Sequence, residues 1–465
     1  EIGTGDWSSD VCSSDLFRNL DDLANRSVGK LLWEYSLPAV VGMVVMSLYN
    51  IIDRMVIGHV VGPEAIAGLT ITFPVMNIAT AIGVLVGGGS AARVSILLGG
   101  NNHNAAQKVL GNAVSLTLMN GAIYITLLAI FLDDILRAFG ASEVTLPYAH
   151  EFMVFILPGL LLTNFSFSLN NVIRASGAPR RAMVTMLIGA GLNMILAPTF
   201  VYGLEMGIKG AAIATDISMF ISMLTVVHYF TRKDSTLVFK RGIYKIDWHV
   251  AFEIVAIGAA PSVVNVASCF INVIINNSLY SFGGDNAVAA AGIFTTYTAM
   301  IVSVIIGICQ GMQPIVGYNY GAKKFDRLRG VYWLAVCIAT LICTIGWAGG
   351  MYASPYIAGV FTVDENLINV TAHALNLSMV CFFMVGFQII STTFFQSLGR
   401  AGKSVFLGLT RQVLFLIPFM LLFSHYFGLD GIWRSFPASD ACATIVTAIL
   451  IIFEFRRLKK LERAN

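Results

Sequence analysis

One acidic side chain lies well inside the first long apolar segment of this 465-residue chain: Asp53, in the run LYNIIDRMVIGH. An ionisable residue inside a membrane span costs at least about 2.5 kcal/mol to insert, so it normally faces protein or water and has a functional role. The neighbouring Arg54 projects about 100° away on a helix and is a poor direct partner. We expect the Asp53 carboxylate to exchange protons or hold a cation. A structural aspartate paired with a basic residue is the alternative.

Neutral polar side chains mark further positions in the apolar segments. Asn193, in GLNMILAPTF, and Thr215, in AAIATDIS, lie in the first half; each alone is more typical of a hydrogen bond between packed helices. Apart from Glu253 near the start of the first one, the segments of the second half contain amides but no carboxylate before Asp440. Because an amide cannot titrate at working pH, we expect protonation chemistry in the first half. The candidates for lining a substrate cavity are Asn50, Gln310, Gln313 and Gln388.

Motifs of enzymes and ATP-driven motors are missing from the sequence. It contains no GxxxxGK[ST], HExxH or GxSxG pattern, and the glycine-rich run GVLVGGG at 83–89 lies within an apolar segment. Six cysteines lie singly in apolar segments without a CxxC pair, which is typical of small core residues rather than metal ligands. We therefore predict neither an enzyme nor a bound cofactor or metal.

The composition indicates which elements position these side chains. Hydrophobic residues make up 57% of the chain and charged residues 12%, about half the charge of a soluble domain. Apolar runs long enough to cross a bilayer as helices recur along the chain, whereas the alternating pattern of a membrane β-barrel does not occur. The predicted spans lie near residues 31–58, 66–99, 107–132, 147–173, 183–203, 208–231, 249–281, 287–318, 331–359, 367–397, 404–427 and 431–455.

Several short sequence motifs of the first half recur in the second half. RASGAPRRA at 174–182 matches QSLGRAGKS at 396–404, and GIKGAAIAT from Gly207 matches GLDGIWRSF from Gly428, at offsets of 222 and 221. Because each half has an even number of spans, both run in the same direction. We predict an all-α membrane protein with twelve transmembrane helices in two six-helix lobes, related by a pseudo-two-fold axis along the membrane normal. The predicted parts are a lead-in 1–28, a first lobe 29–231, a linker 232–248, a second lobe 249–455 and a basic tail 456–465.

The loops predict the orientation of the chain. Lys and Arg concentrate in the connections after spans four, six, eight and ten and in the tail, so these and both termini are expected on the cytoplasmic side of a bacterial inner membrane. The same distribution explains the net charge of +3 without a nucleic-acid partner. The first residues are different: DWSSDVCSSDL at 6–16 resembles a translated sequencing-adapter oligonucleotide, and we interpret it as an artefact.

Taken together, these runs resemble the multidrug and toxic compound extrusion (MATE) transporters over nearly all of residues 29–455. The resemblance rests on Pro38, the NxxD run 50–53, the turn 62–69, RASGAPRRA, LNMILAP and GIKGAAIAT. It implies that Asp53 takes part in H⁺ or Na⁺ coupling in the first lobe, with Asn193 and Thr215 completing the site. The family often has an aspartate where this chain has Ala197. With one matching carboxylate the site is poor in oxygen ligands for Na⁺, which favours H⁺ as the coupling ion.

The resemblance implies an antiporter that exports amphipathic organic cations in exchange for H⁺, with Na⁺ as the alternative. The expected partners are these small molecules and the lipid bilayer, and the expected state is a monomer. Two alternatives remain open. A flippase for lipid-linked saccharides or cell-wall precursors would need basic residues in its cavity, for which only Arg93, Arg411 and Arg434 are candidates. A receptor or scaffold would not need Asp53.

Overall fold

The computed structural model describes residues 23–60, 63–232 and 234–464, without the side chains of 49–60, 63–68, 70 and 464. This part of the chain is helical and contains no strand. The helices are α1 (Val28–Val60), α2 (Pro63–Gly99), α3 (His103–Ala138), α4 (Leu146–Ala175), α5 (Pro179–Pro198), α6 (Gly207–Thr231), α7 (Trp248–Gly321), α8 (Phe325–Tyr352), α9 (Ser354–Phe361), α10 (Glu365–Ser378), α11 (Val385–Ser397), α12 (Ala401–Leu409) and α13 (Ile417–Ala464).

Two of these helical runs are too long to be single spans. α7 has 74 residues, or roughly 110 Å at 1.5 Å per residue, more than three times a ~30 Å hydrocarbon core. It reverses at Gly284, whose φ of 62° is accessible to glycine, and α13 breaks in the same way at Gly428 with φ 59°. Nine helices of the described residues are long and apolar enough to cross a membrane, or ten with the bent pair α10–α11. Dividing the two long runs at their glycines gives the twelve predicted spans.

The turns confirm the sequence repeat in the backbone. Asn101 and Lys323, both at φ 58°, end α2 and α7 and lie 222 residues apart. Gly177 and Gly399 also have positive φ at that offset, and the backbone N–H of each donates to the carbonyl three residues back. Such left-handed residues close a helix by satisfying its last carbonyls. The two halves therefore share a chain path, as predicted.

The connection between the lobes packs on the first lobe. Gln107 of α3 donates to the carbonyl of Val238, and Asn112 accepts from the backbone N–H of Asp247 at 2.8 Å. In the same segment Arg232 donates to Asp234 at 2.7 and 2.8 Å, and this hydrogen bond lowers the pKa of the Asp234 carboxyl. We call this end of the bundle the linker side and the opposite end the far side. The exact domain boundaries stay a prediction.

The core divides along the same direction. One large cluster near the linker side joins both lobes, with members such as Val86 and Ile254. Towards the far side there are two separate clusters: one belongs to the first lobe and includes Met153, and the other belongs to the second lobe and includes Trp433. The lobes are thus packed together at the linker side, and each has its own core at the far side.

Glycines allow the close contact between the lobes at the linker side. A Cβ added to Gly258 of α7 would lie 1.7 Å from the carbonyl oxygen of Leu85, and one added to Gly89 of α2 would lie 1.9 Å from that of Ile254. Only residues without a side chain let two helix backbones approach this closely. The run GVLVGGG is therefore part of a packing surface between α2 and α7.

Candidate ion and substrate sites

Asp53 and Asn50 are located on the last turns of α1, a helix with Pro38 inside it. Their side chains lie outside the described residues, so the structure gives their position along the helix and no contacts. Proline removes a backbone hydrogen bond and permits a bend in a membrane helix. The role predicted for Asp53 stays a prediction.

Asn193 and Thr215 come together in the first lobe. Nδ2 of Asn193 on α5 donates to Oγ1 of Thr215 on α6 at 2.9 Å, and Thr215 Oγ1 donates to the carbonyl of Ala211 at 3.0 Å. Asn193 is buried, with 1% of its surface exposed, and Ala197 follows one turn later on α5, also buried. Both side chains are uncharged, so the pair contributes only neutral hydroxyl and amide groups to the interior of the first lobe.

A second carboxylate of the first lobe lies next to this pair. Asp216 follows Thr215 in sequence, and its Oδ1 would lie 1.8 Å from a Cβ added at Gly159 of α4. The carboxylate thus packs against the backbone of α4, whereas Thr215 meets Asn193 on α5. Its sequence signal was a charge directly after the polar Thr215, but only the packing shows which helix it faces.

Gln310 connects the two lobes through a buried arginine. Nη1 of Arg174 on α4 donates to Oε1 of Gln310 on α7 at 2.6 Å, and Nη2 donates to Oδ1 of Asn170 at 3.1 Å. Nε2 of Gln310 contacts the sulfur of Met43 on α1 at 3.6 Å. Arg174 is only 3% exposed, so it is a buried charge surrounded by amide oxygens. Sequence analysis did not select it because it lies at the end of a span, in RASGAPRRA.

The other two glutamines are also hydrogen-bonded within the protein. Nε2 of Gln313 donates to the carbonyl of Gly88 at 3.1 Å, a bond from α7 to α2 across the lobe contact. Nε2 of Gln388 on α11 donates to the carbonyl of Asp440 at 2.6 Å and to Oγ1 of Thr444 at 2.7 Å. All three glutamines therefore stabilise helix contacts in this conformation, and their role in lining a cavity stays a prediction.

The second lobe contains a buried ion pair. Nε of Arg411 lies 2.6 Å from Oδ1 of Asp440, whose side chain is 3% exposed. Arg411 belongs to a π-helical turn, Thr410–Leu416, which joins α12 to α13, and π-helical turns often occur at functional sites. The fifth span of the first lobe also contains a π-helical turn, Thr199–Gly203 after α5, but at a later position in the repeat.

Metal-binding chemistry finds no support in the part of the chain that the structure describes. Among those residues no three or more His, Cys, Asp or Glu side chains are grouped closely enough to hold a metal ion. What the described lobes offer instead is a set of polar pairs buried between membrane-spanning helices. Together with the duplicated two-lobe bundle, this defines a membrane transporter.

Comparison with known proteins identifies the family. The family model described as MatE matches residues 38–199 and 261–422, two copies at an offset of 223. The multidrug export protein MepA of Staphylococcus aureus (strain MSSA476) is 26% identical over 430 residues, covering 92% of this chain and 94% of that protein. A crystal structure of MATE in complex with MaL6 has a TM-score of 0.89 at 26% identity and covers 94% of this chain and 99% of its own.

A second solved structure, the outward-facing conformation of a multidrug resistance MATE family transporter of the MOP superfamily, has a TM-score of 0.89 at 25% identity. It covers 94% of this chain and 98% of its own. The chain belongs to the MatE family. It is a multi-pass membrane transporter and not an enzyme.

Proposed function

We propose that this protein is a secondary active multidrug exporter that moves amphipathic organic cations out of the cell in exchange for H⁺. The relatives named above as a multidrug export protein and a multidrug resistance transporter support multidrug efflux. The apolar and aromatic composition suits a cavity that accepts many amphipathic molecules. No cofactor is proposed beyond the coupling ion.

The observation that carries the coupling proposal is the Asn193–Thr215 hydrogen bond. It brings two of the three predicted site residues within 2.9 Å of each other, from positions 22 residues apart on different helices. Neither side chain titrates, and the buried Ala197 beside them supplies no oxygen. The titrating member of this site is then Asp53, on the helix that also packs against α5.

The same composition of the site favours H⁺ over Na⁺. Sodium is a hard cation that needs several oxygen ligands, preferably with more than one negative charge nearby. Asn193 and Thr215 contribute neutral groups, and Asp216 is turned towards Gly159 on α4. One carboxylate with few additional oxygens is sufficient to bind a proton and insufficient for a typical Na⁺ shell.

The flippase alternative receives less support from the described side chains. Its three candidate arginines are separated: Arg93 pairs with Glu253 at 2.8 Å, Arg411 pairs with Asp440, and Arg434 lies over the ring of Phe427 at 5.4 Å. A pyrophosphate group needs several cations that converge on it. These arginines do not form such a group.

We further propose a monomer in the bacterial plasma membrane with its linker side towards the cytoplasm. The orientation follows from the basic residues of that side, because short cytoplasmic loops are enriched in Lys and Arg. The lobes are packed together at the linker side, so in this conformation a passage between them is closed towards the proposed cytoplasm.

The deciding experiment is transport in proteoliposomes of purified protein. A cationic fluorescent dye is followed while either a pH gradient or a Na⁺ gradient is imposed. We expect dye movement driven by the pH gradient and independent of Na⁺. Movement that needs Na⁺ and ignores the pH gradient would replace H⁺ by Na⁺, and no dye movement under either gradient would favour a flippase or a non-transporting protein.

A further inference from the structure

The buried ion pair of the second lobe is not needed for the coupling site proposed in the first lobe. Asp440 lies in the part of α13 after Gly428, and Arg411 lies in the π-helical turn before α13. Oγ of Ser439 donates to the carbonyl of Arg411 at 2.5 Å, and Gln388 donates to the carbonyl of Asp440 at 2.6 Å. Both backbone positions are thus fixed by side chains of neighbouring helices. The pair is a rigid unit.

Only one of the three guanidinium nitrogens of Arg411 takes part in this unit. Nε contacts Asp440 Oδ1 at 2.6 Å, and within the described residues the two terminal nitrogens, Nη1 and Nη2, make no hydrogen bond to protein. The Arg411 side chain is 28% exposed, whereas that of Asp440 is 3% exposed. The Asp440 carboxylate therefore binds the guanidinium at Nε. The opposite edge of the guanidinium, with the four N–H groups of Nη1 and Nη2, remains available to a ligand.

The position in the membrane excludes a lipid headgroup as the group that meets this edge. Arg411 follows the first residue of α12, Ala401, by ten positions, so it lies about 15 Å along its span, near the middle. A charged side chain that faced the hydrocarbon there would be costly, so the exposed edge faces a space inside the protein.

We propose that Arg411, oriented by Asp440, binds a carboxylate carried by the substrate and thereby determines whether zwitterionic amphiphiles are accepted. A planar guanidinium held at Nε presents Nη1 and Nη2 in the geometry that matches two carboxylate oxygens. Asp440 is a positioning residue, because it acts only through Arg411. This inference rests on the proposed export function and deepens it by naming Arg411 as the residue that selects substrates with a carboxylate beside a cationic group.

The test uses two probes that differ only at the carboxyl group: a cationic rhodamine methyl ester and the same rhodamine as its zwitterionic free acid. Transport of both is measured in proteoliposomes of the full chain, giving a KM for each. Arg411→Lys keeps the charge and removes the planar fork. We expect it to raise the KM ratio of free acid to ester by roughly tenfold, the effect of losing a hydrogen-bonded charge contact.

Removing Arg411 alone leaves Asp440 as an unpaired buried charge, so a single neutral variant has a high risk of misfolding. The double variant Arg411→Gln with Asp440→Asn removes both charges together and keeps similar volumes. We expect the same or a larger change in the KM ratio, with kcat for the ester retained to within a few-fold. Arg434→Gln is the matched control, since Arg434 is an exposed arginine of the same lobe that lies over Phe427.

The outcomes separate this inference from the proposed function. Absence of transport of the ester by the unmodified protein contradicts the export function itself. If the ester is transported but the KM ratio is the same in the unmodified protein, Arg411→Lys and the double variant, the carboxylate site is wrong. An equal change with Arg434→Gln would show a general charge effect and would also overturn it.

Discussion

The fifth and sixth spans of the two lobes carry different polar pairs on the same scaffold. In the first lobe the pair is Asn193 and Thr215, both uncharged, at 2.9 Å. In the second lobe it is Arg411 and Asp440, both charged, at 2.6 Å. Each fifth span includes a π-helical turn, Thr199–Gly203 or Thr410–Leu416. The two turns lie at different places in the repeat, because 199–203 shifted by 222 residues falls at 421–425, and the polar pairs of the two lobes differ as well.

This difference assigns separate tasks to the lobes. Because the pair in the first lobe is neutral, the charge of that site depends on one further group. If this group is Asp53, as proposed, protonation of Asp53 changes the charge of the site. A carboxylate already bound to a guanidinium has its charge compensated, which makes it a poor site for a coupling ion and a stable base for recognising a ligand. Coupling and recognition would then be located on opposite sides of the contact between the lobes.

The largest expected effect is the loss of coupling in the first lobe. Asp53→Asn keeps the shape of the side chain and removes its titration, so we expect no uphill dye efflux in proteoliposomes while the protein still inserts and folds. Asp216→Asn is the matched control, because Asp216 is a membrane carboxylate of the same lobe that packs against Gly159. We expect it to keep gradient-driven efflux. Efflux by Asp53→Asn at the unmodified rate would place the coupling elsewhere.

A second comparison concerns the linker side of each lobe. Glu454 of the second lobe is fully buried and contacts Arg400, Lys403 and Arg457, with nitrogen–oxygen distances of 3.7 Å for Arg400 and 3.5 Å for Arg457. Glu454→Gln leaves three cations without their shared anion, and we expect it to lower the free energy of unfolding by about 3 kcal/mol. Thermal unfolding in detergent measures the change.

The first lobe offers the matched control for this variant. Glu34 pairs with Arg26 at 2.6 Å, but its side chain is 24% exposed. Exposed ion pairs contribute about 0–1 kcal/mol, so Glu34→Gln should have a much smaller effect on the unfolding temperature. Equal effects of the two variants would mean that burial does not set the contribution of these two carboxylates to stability.

A third comparison is between the contact of the lobes and a position away from it. Gly258→Ala places a Cβ 1.7 Å from the carbonyl oxygen of Leu85, whereas a Cβ at Gly292 meets nothing within 4 Å. We expect Gly258→Ala to separate α2 from α7, at a cost of about 1–3 kcal/mol, and to increase labelling of cysteines introduced near this contact. Gly292→Ala should label as the unmodified protein does. Identical labelling of both variants would show that the contact is not tight.

The smallest expected effect is that of the neutral pair. Asn193→Ala and Thr215→Ala should each slow efflux without abolishing it, because neither side chain titrates. A double-mutant cycle on thermal stability should give a coupling of about 0.6 kcal/mol, the average for hydrogen bonds between membrane helices. A cycle that gives no coupling would indicate that the two side chains do not contact each other in solution.

The sequence predicted the elements well because membrane spans are marked by composition alone. The twelve-span repeat and its offset of 222 were readable from runs such as RASGAPRRA and QSLGRAGKS, and Gly177 and Gly399 adopt the same left-handed conformation in the structure. The sequence indicated only one of the two polar pairs. The family resemblance placed Asn193 and Thr215 in one site, but Arg411 and Asp440 were not recognised as partners, since they lie 29 residues apart on different spans.

The sequence by itself determined that this chain crosses a membrane, that it does so as two similar halves, and that Asp53 is its most unusual acid in the first lobe. These properties depend on the local cost of placing each residue in hydrocarbon, which a linear sequence records. Only the tertiary structure decided which helix each polar side chain faces: Asp216 towards Gly159, Gln310 towards Arg174, Arg411 towards Asp440. Those choices depend on helix rotation and packing across the lobes, and in an almost uniformly apolar chain the hydrophobic pattern does not fix them.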